Sequence, residues 1–394
     1  MEKAGEVKRL SVIVPIYRGQ KYIVNLIKMI EAGIEKLGTN MAVEMIISND
    51  DPEDVIEGDF FSKRMQIAVL NTDVNKGIHG ARIAGLLHCT GDFVLFLDQD
   101  DWISASYFVS QMKKLEDSRA DAVVCRAKEN GREIYNASYS FEKTIDYMNM
   151  VSVGNMIVSP GQVLIRRNAI PDLWQHNILK NNGVDDWFLW ICMLEQGRHF
   201  VLNEEILFEH RIEGSNLSWN SEKMLASEKE MLEVIKSTAF LDKTKIQKLE
   251  NLIESEQKRY IDILEKYRKM FFVYDKWMCI ECHKGAVSEY LYGQGVKKIA
   301  VYGMGYIGTQ LVNKLQGTNV CVVGAIDRNA GFIEAAVPVV RLEEFDEDSD
   351  LIIVAVCGHT SEIVQDIKAG IDVPIITIEK LLKNWDEERA LQYE

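Results

Sequence analysis

No stretch of this 394-residue chain approaches the 18 apolar residues that a membrane-spanning helix needs. The opening residues, Met1-Glu2-Lys3-Ala4-Gly5-Glu6, lack the apolar core of a secretory signal. Basic charge is scarce: 45 Lys and Arg stand against 60 Asp and Glu, a net charge of −15 at pH 7, which speaks against a nucleic-acid footprint. Cysteine is sparse and odd in number. The seven (Cys89, Cys125, Cys192, Cys279, Cys282, Cys321, Cys357) are scattered, mostly among apolar neighbours. They read as reduced core thiols, not a disulfide framework. The expectation is a cytoplasmic protein. What is present, 47% hydrophobic and 27% charged residues, suits a globular chain with room for two or three domains.

The apolar residues fall into short runs separated by helical periodicity. Leu10 to Pro15 reads as a buried strand with Tyr17 at its exit. Tyr22 to Leu37 repeats apolar residues at helical spacing, and Gly38 ends it. Val43 to Ile47 is a second strand, closing on Ser48-Asn49-Asp50-Asp51-Pro52, and Gln66 to Leu70 a third. Gly77 to His88 is a helix rich in small residues, and Asp121 to Cys125 adds a strand. Strand alternating with helix predicts a parallel sheet covered on both faces.

The most informative stretch is Phe93-Val94-Leu95-Phe96-Leu97-Asp98-Gln99-Asp100-Asp101-Trp102. Five apolar residues, right for a buried parallel strand, run into three carboxylates. Those acids fall just past the strand's carboxyl end, where open α/β sheets bind ligands. Clustered carboxylates repel each other. A hard divalent cation such as Mg²⁺ or Mn²⁺ removes that repulsion, and two carboxylates leave it open to substrate phosphates. The plain alternative is an acidic turn before the next helix.

Taken in order, these motifs resemble the family 2 glycosyltransferases of the GT-A fold over roughly residues 9 to 218. Ser11-Val12-Ile13-Val14-Pro15-Ile16-Tyr17 is similar to the family's opening strand, and Asn49-Asp50-Asp51 to its first acidic pair. Asn75-Lys76-Gly77 with Ala81-Arg82, and Asp98-Gln99-Asp100-Asp101, resemble two further motifs. Asp185-Asp186-Trp187 stands where the family has its acidic pair, and His210-Arg211-Ile212 through Ser218 resembles the closing segment.

The resemblance implies roles. Asp50 accepts a hydrogen bond from the donor base, most often uracil, in a pocket shaped by Pro15 and Tyr17. Arg82 lies near the donor diphosphate. Asp98, with its neighbour Gln99, sits near the ribose or metal, and Asp100 ligates the metal. Asp186 is the general base that deprotonates the acceptor hydroxyl, and Asp185 caps its helix. Relatives often carry a His where Ile212-Glu213 stands here; His210 is the nearest candidate for that diphosphate or metal contact. Each acid also has a bland reading as a turn or cap residue. Ser159 to Gln162 and Leu173 to Asn182 fall where acceptor selection belongs, and Trp102, Trp174 and Trp187 are candidates to stack on sugar. The Gln-x-x-Arg-Trp motif of processive relatives is absent, so a single sugar is expected per event.

Residues 220–292 change character. Ile246, Leu249, Ile253, Tyr260, Ile263 and Tyr267 follow a 3.5-residue repeat among charges, which reads as linking helices with a homodimer seam as one option. Met270 to Tyr274, flanked by Lys269 and Lys276, offers either peripheral membrane contact or core packing. Cys279-Ile280-Glu281-Cys282-His283 matches a haem-attachment pattern, but no second ligand is evident and helical core cysteines are the expectation.

From residue 293 a second α/β unit begins. The strand Lys297 to Tyr302 leads into Gly303-Met304-Gly305-Tyr306-Ile307-Gly308, a helix follows, and the next strand ends in Asp327. This is the dinucleotide fingerprint in its proper context. It marks Gly303, Gly305, Gly308 and Asp327 as a possible second nucleotide site, with NAD(P) one candidate. The unit resembles Rossmann-like appendages on bacterial surface-polysaccharide enzymes.

The sequence thus predicts an α/β chain in three parts: a GT-A domain at 1–219, a helical linker at 220–292 and a Rossmann-like domain at 293–394. The expected activity is metal-dependent, inverting transfer of one sugar from a nucleotide-sugar donor to a glycan or lipid-linked acceptor in cell-surface polysaccharide assembly. The protein would work in the cytoplasm, at the inner membrane face. The alternatives are an NAD-dependent sugar-nucleotide oxidoreductase or epimerase, and a non-catalytic binding protein.

Overall fold

The computed structural model describes residues 8–37, 41–136, 139–211, 221–346, 348–358 and 360–393. Gly38, expected to stop the first helix, and Ile212 through Ser218 of the closing motif lie outside the described residues. The chain divides into two compact units, Met1–Lys258 and Arg259–Glu394.

The first unit is built on one mixed sheet. Its strands are β1 (Lys8–Ile16), β2 (Met41–Asn49), β3 (Gln66–Asn71), β4 (Phe93–Phe96), β5 (Trp102–Ile103), β6 (Ala122–Glu129), β7 (Arg132–Glu133), β8 (Val163–Arg166) and β9 (Phe200–His210). They lie in the order β3-β2-β1-β4-β8-β6-β9-β5, with β7 paired to β6. The first four run parallel, with Val12 opposite both Met45 and Leu95. Antiparallel β8 then separates β4 from β6. The all-parallel expectation therefore fails at β8 and at the short β5 and β7, whereas β6 and β9 pair parallel. Strand β8 went unread because its four residues carry no periodicity long enough to count.

Strands β1 and β4 are buried along nearly their whole length, as central strands must be when helices cover both faces. Helices α1 (Ile23–Ile34), α2 (Gly77–His88), α3 (Tyr107–Asp117), α4 (Tyr147–Ser152), α5 (Asp172–His176) and α6 (Asp185–Glu195) pack around the sheet. The apolar positions of α1, namely Ile23, Leu26, Ile27, Ile30 and Ile34, form the one stripe that its spacing predicts. Because β1, β2 and β4 are parallel, their carboxyl ends share one edge, with Asp50 next after β2 and Asp98 two residues past β4.

The helical stretch does not stand as a body of its own. Helix α7 (Ser221–Thr238) and the start of α8 (Lys243–Lys284) bury Met231, Leu232, Ile235, Leu249 and Ile253 in the first unit's core. The later part of α8 buries Val273, Trp277 and Ile280 in the second. Cys279 and Cys282 on that helix are exposed, as is Cys321, so the core-thiol expectation fails for these three. Among the described residues no helix is long and apolar enough to cross a membrane.

The second unit continues with α9 (Val287–Gly293), β10 (Lys298–Tyr302), α10 (Tyr306–Leu315), β11 (Cys321–Ile326), β12 (Val339–Val340), β13 (Leu351–Val354), α11 (Thr360–Lys368), β14 (Ile375–Thr377) and α12 (Ile378–Asp386). Its sheet runs β12-β11-β10-β13-β14, parallel throughout. This is the Rossmann-like order that the glycine fingerprint implied.

Candidate active site

The edge formed by β1, β2 and β4 is held together by side chains that the motifs supply. Asp50 is buried, and its Oδ1 accepts the Lys76 N–H at 2.8 Å. Burial pushes this carboxyl above its ordinary value, against the pull of the Lys76 and Gly77 N–H groups. Asp50 thereby pins the start of α2. Gly77 allows the tight entry with φ at +76°, and a Cβ there would sit 2.3 Å from Asn182 Oδ1. That same oxygen accepts the Ile78 N–H.

Gln99 bridges two strand exits. Its Oε1 accepts the Tyr17 N–H at 3.1 Å, and it lies over Gly19, where a Cβ would fall 2.0 Å from that oxygen. Pro15 is buried in β1, whereas Tyr17 is exposed. Beside it Arg18, unmarked by the motifs, has its backbone at φ +51° and donates from Nε to the buried Asp51 at 3.2 Å.

Arg82 is placed differently from the expectation that it reaches toward a diphosphate. It is 3% exposed. One guanidinium nitrogen donates to Asp98 Oδ1 and another to Asp185 Oδ2, both at 2.5 Å. Burial works against its charge but is outweighed by Asp185, then Asp98 and Asp186, so its pKa is raised. Its Nε is buried without a partner among the described residues. Arg82 is therefore a bridge between the acids after β4 and the start of α6.

Asp185 does not cap that helix. The N-cap position is Val184, with no side-chain cap, and Asp185 is the first helical residue. Its carboxylate goes to Arg82, and its carbonyl accepts the Trp174 indole N–H at 2.7 Å. Asp186 is partly exposed. The Trp187 N–H donates to its Oδ1 at 2.7 Å and the Asn155 amide to its Oδ2 at 3.1 Å. Burial, followed by the negative charge of Asp185, pushes the Asp186 carboxyl up to about 7, against Arg82 and the Trp187 N–H.

Asp100 is half-buried and pushed up to about 6, by burial first and then by the charges of Asp101 and Asp98. Asp101 is sealed in. It accepts the Ser159 hydroxyl at 2.6 Å and faces His210 Nδ1 at 2.8 Å. That contact raises the His210 pKa despite burial. The expected metal set of Asp98, Asp100 and His210 does not converge: Asp98 is taken by Arg82 and His210 by Asp101. No group of three His, Cys, Asp or Glu closes on a common point among the described residues. The donor chemistry still fits a hard divalent cation, since Asp100 offers a half-buried carboxylate beside those of Asp98 and Asp101.

Two other expectations are corrected. Ser159 to Gln162 is buried, with Gln162 donating to the Cys125 carbonyl and the Tyr135 hydroxyl, so it is interior rather than an acceptor surface. Trp174 and Trp187 are core residues, and of the three tryptophans only Trp102 has an exposed face. The motifs also missed Asn155 and the Ser159–Asp101–His210 chain. Asp101 was visible as the third acid of its run; Asn155 has no local signal.

In the second unit the glycine loop has the geometry that its spacing demands. Gly303 has φ at +92°, and a Cβ on Gly308 would lie 1.9 Å from the Gly303 carbonyl oxygen. Asp327 accepts the Met304 N–H on one oxygen and the Asn329 N–H on the other, both at 2.8 Å.

An open sheet, parallel where its strand ends gather acids at one edge, defines the first unit as a GT-A type α/β domain. Residues 11–174 match the model of glycosyl transferase family 2, so the first unit carries a domain of that family. Asp185, Asp186 and His210 lie beyond the matched residues and join the edge only through tertiary contacts.

Among curated relatives, the chain is similar to the glycosyltransferase GlyA of Streptococcus pneumoniae, 31% identical over 119 residues (29% of this chain, 16% of that protein). It is similar to the uncharacterized glycosyltransferase YwdF of Bacillus subtilis, 27% identical over 146 residues (36% and 53%). A third is an undecaprenyl-phosphate 4-deoxy-4-formamido-L-arabinose transferase of Enterobacter, 28% identical over 102 residues (25% and 31%). The chain thus spans less than two thirds of each relative's length. The structure of S. aureus TarS 1-349 with UDP-GlcNAc aligns at a TM-score of 0.45 and 16% identity, covering 62% of this chain and 71% of that one.

Proposed function

We propose that the first unit transfers one sugar from a nucleoside diphosphate donor, a UDP-sugar, to a hydroxyl of a glycan or lipid-linked acceptor, inverting the anomeric centre. The observation that carries this reading is Asp186. It is a partly exposed carboxyl raised to about 7, held by Asn155 and the Trp187 N–H beside the Asp98–Arg82–Asp185 bridge. A base with its pKa near the working pH is well matched to removing a hydroxyl proton. The acceptor oxygen attacks the anomeric carbon as Asp186 takes its proton, and the diphosphate leaves from the opposite face.

Asp50 has one oxygen on the Lys76 N–H and offers the other to the base edge, with Tyr17 as the exposed wall. Asp98 and Gln99 face the ribose side. Asp100, with the free oxygen of Asp98, would hold Mg²⁺ or Mn²⁺, and His210 would stand behind it through Asp101. The cation would neutralise charge on the departing diphosphate. Arg82 serves by fixing Asp98 and Asp185.

The Enterobacter relative is named for a transferase on undecaprenyl phosphate, which supports a lipid-linked acceptor in cell-surface assembly at the inner membrane face. In the second unit both Asp327 oxygens hold backbone N–H groups, which favours a structural role for the glycine loop over NAD(P) binding.

The test is calorimetric titration of UDP-sugars with and without Mn²⁺, followed by a transfer assay on lipid-phosphate acceptors. Mn²⁺-dependent binding that is lost in Asp100→Ala supports the reading. Binding of NAD(P) with no binding of any nucleotide sugar would overturn it.

A further inference from the structure

Helix α8 carries a stripe that the core of the second unit does not use. From Arg259 onward the helix belongs to that unit, and Val273, Trp277 and Ile280 bury into its core. At about 100° per residue these three share one side of the helix. Away from that side stand Tyr260, Leu264, Tyr267, Phe271 and Met278, whereas Tyr274, on the same line, is partly buried against the second unit's core. From Tyr260 to Phe271 the spacing alternates four, three and four residues, that of a coiled-coil seam, and Met278 falls one heptad beyond Phe271. Leu264 is 48% exposed, Tyr267 54%, Phe271 65% and Met278 66%. Every residue from 261 to 269 is exposed. Apolar groups aligned in this way exceed the single ones that a surface normally tolerates. The seam differs from the repeat read in the sequence: Leu249 and Ile253 belong to the first unit's core, and Leu264 replaces Ile263.

We propose that this stripe is a homodimer seam, occupied by α8 of a second copy of this chain. The spacing favours a helix as occupant. A 3.5-residue repeat keeps one stripe facing a second helix, whereas a helix lying on lipid needs only a broad 3.6-residue face. The charges favour a like helix. Of the charges on this part of the helix, Arg268 and Asp275 flank the stripe, one of each sign, so an antiparallel copy would set each against its opposite. From Tyr260 to Met278 the stripe runs roughly 27 Å along the helix, between two and three heptads.

Light scattering on the full chain between 1 and 100 μM tests this. The expected result is twice the single-chain mass, falling to one chain in Leu264→Glu/Phe271→Glu with helicity unchanged, a loss of roughly 100-fold or more in affinity. Lys266→Glu, on the other side of the helix, keeps the dimer. If the double variant loses helicity, Phe271→Glu alone gives the same reading, its side chain being largely in water. A wild-type chain of single mass throughout overturns the seam, as does a dimer that survives the substitutions. Flotation with phosphatidylglycerol vesicles, abolished by the same substitutions in a monomeric chain, would assign the stripe to lipid instead.

Discussion

The Arg82 guanidinium donates to the Asp185 carboxylate at 2.5 Å, in an ion pair whose two side chains are 3% and 4% exposed. The partners are 103 residues apart in the chain. Through the second contact of Arg82, to Asp98, the end of β4 and the start of α6 are fastened to one cation.

Breaking that pair should unfold rather than merely inactivate. Arg82→Met leaves Asp98 and Asp185 without their counter-charge, and a buried charge stripped of its partner costs roughly 3–5 kcal/mol. Arg82→Lys cannot form the fork to both acids and should lose about 2 kcal/mol. Asp185→Asn keeps an acceptor but not the charge, for a loss of roughly 1–3 kcal/mol. Urea titration measures all three. A neutral Asp185→Asn would show that Asp185 is a surface acid and not half of this bridge.

Asp186 should govern the pH dependence of transfer. Its carboxyl is raised to about 7, so kcat/KM should climb with pH through 7 and level off above it. Asp186→Asn should lower transfer by roughly 10² to 10⁴ and flatten the profile, with donor binding intact. Stability moves the other way. A folded-state pKa above the unfolded value near 4 means the native state holds the proton more tightly, so this group's contribution falls as pH rises from about 4 to 7. Asp186→Asn should therefore be more stable than the parent at pH 8, by roughly 1–2 kcal/mol after allowance for partial exposure. A profile unchanged by the substitution would place the base elsewhere.

Asp100→Ala should abolish Mn²⁺-dependent UDP binding while leaving the melting temperature equal or higher, because the acid is pushed up to about 6 by burial and by its neighbours Asp101 and Asp98. Retention of cation-dependent binding in this variant would remove Asp100 from the site.

Gly308→Ala should destabilise the second unit by about 2–4 kcal/mol, since the new Cβ would meet the Gly303 carbonyl oxygen at 1.9 Å and backbone must move. Donor binding by the first unit should persist, measured by titration at 15 °C. Loss of donor binding with the first unit still folded would show that the second unit contributes to the site.

Local pattern determined much of this protein. Apolar runs placed β1, β2 and β4, the last two closing on acids, and small residues from Gly77 to His88 set α2 at its observed bounds. The glycine spacing from Gly303 to Gly308 specified the turn that opens the second unit. Each is a short-range consequence of periodicity, chain length and backbone freedom. Tertiary structure decided what the acids do. The motif marks Arg82 as a cation near a diphosphate, but only the fold puts Asp98 and Asp185 on its two sides and seals Arg82 and Asp185 from water. The pair Asp185-Asp186 offers two equivalent candidates in sequence; α6 turns one toward Arg82 and leaves the other held by Asn155, 31 residues away. Likewise, the stripe on α8 is legible as a repeat, yet which of its residues face a core depends on what packs beside them. Chemistry per residue is written in the chain, whereas burial and partnership arise from contacts between distant segments, and those set a carboxyl's charge.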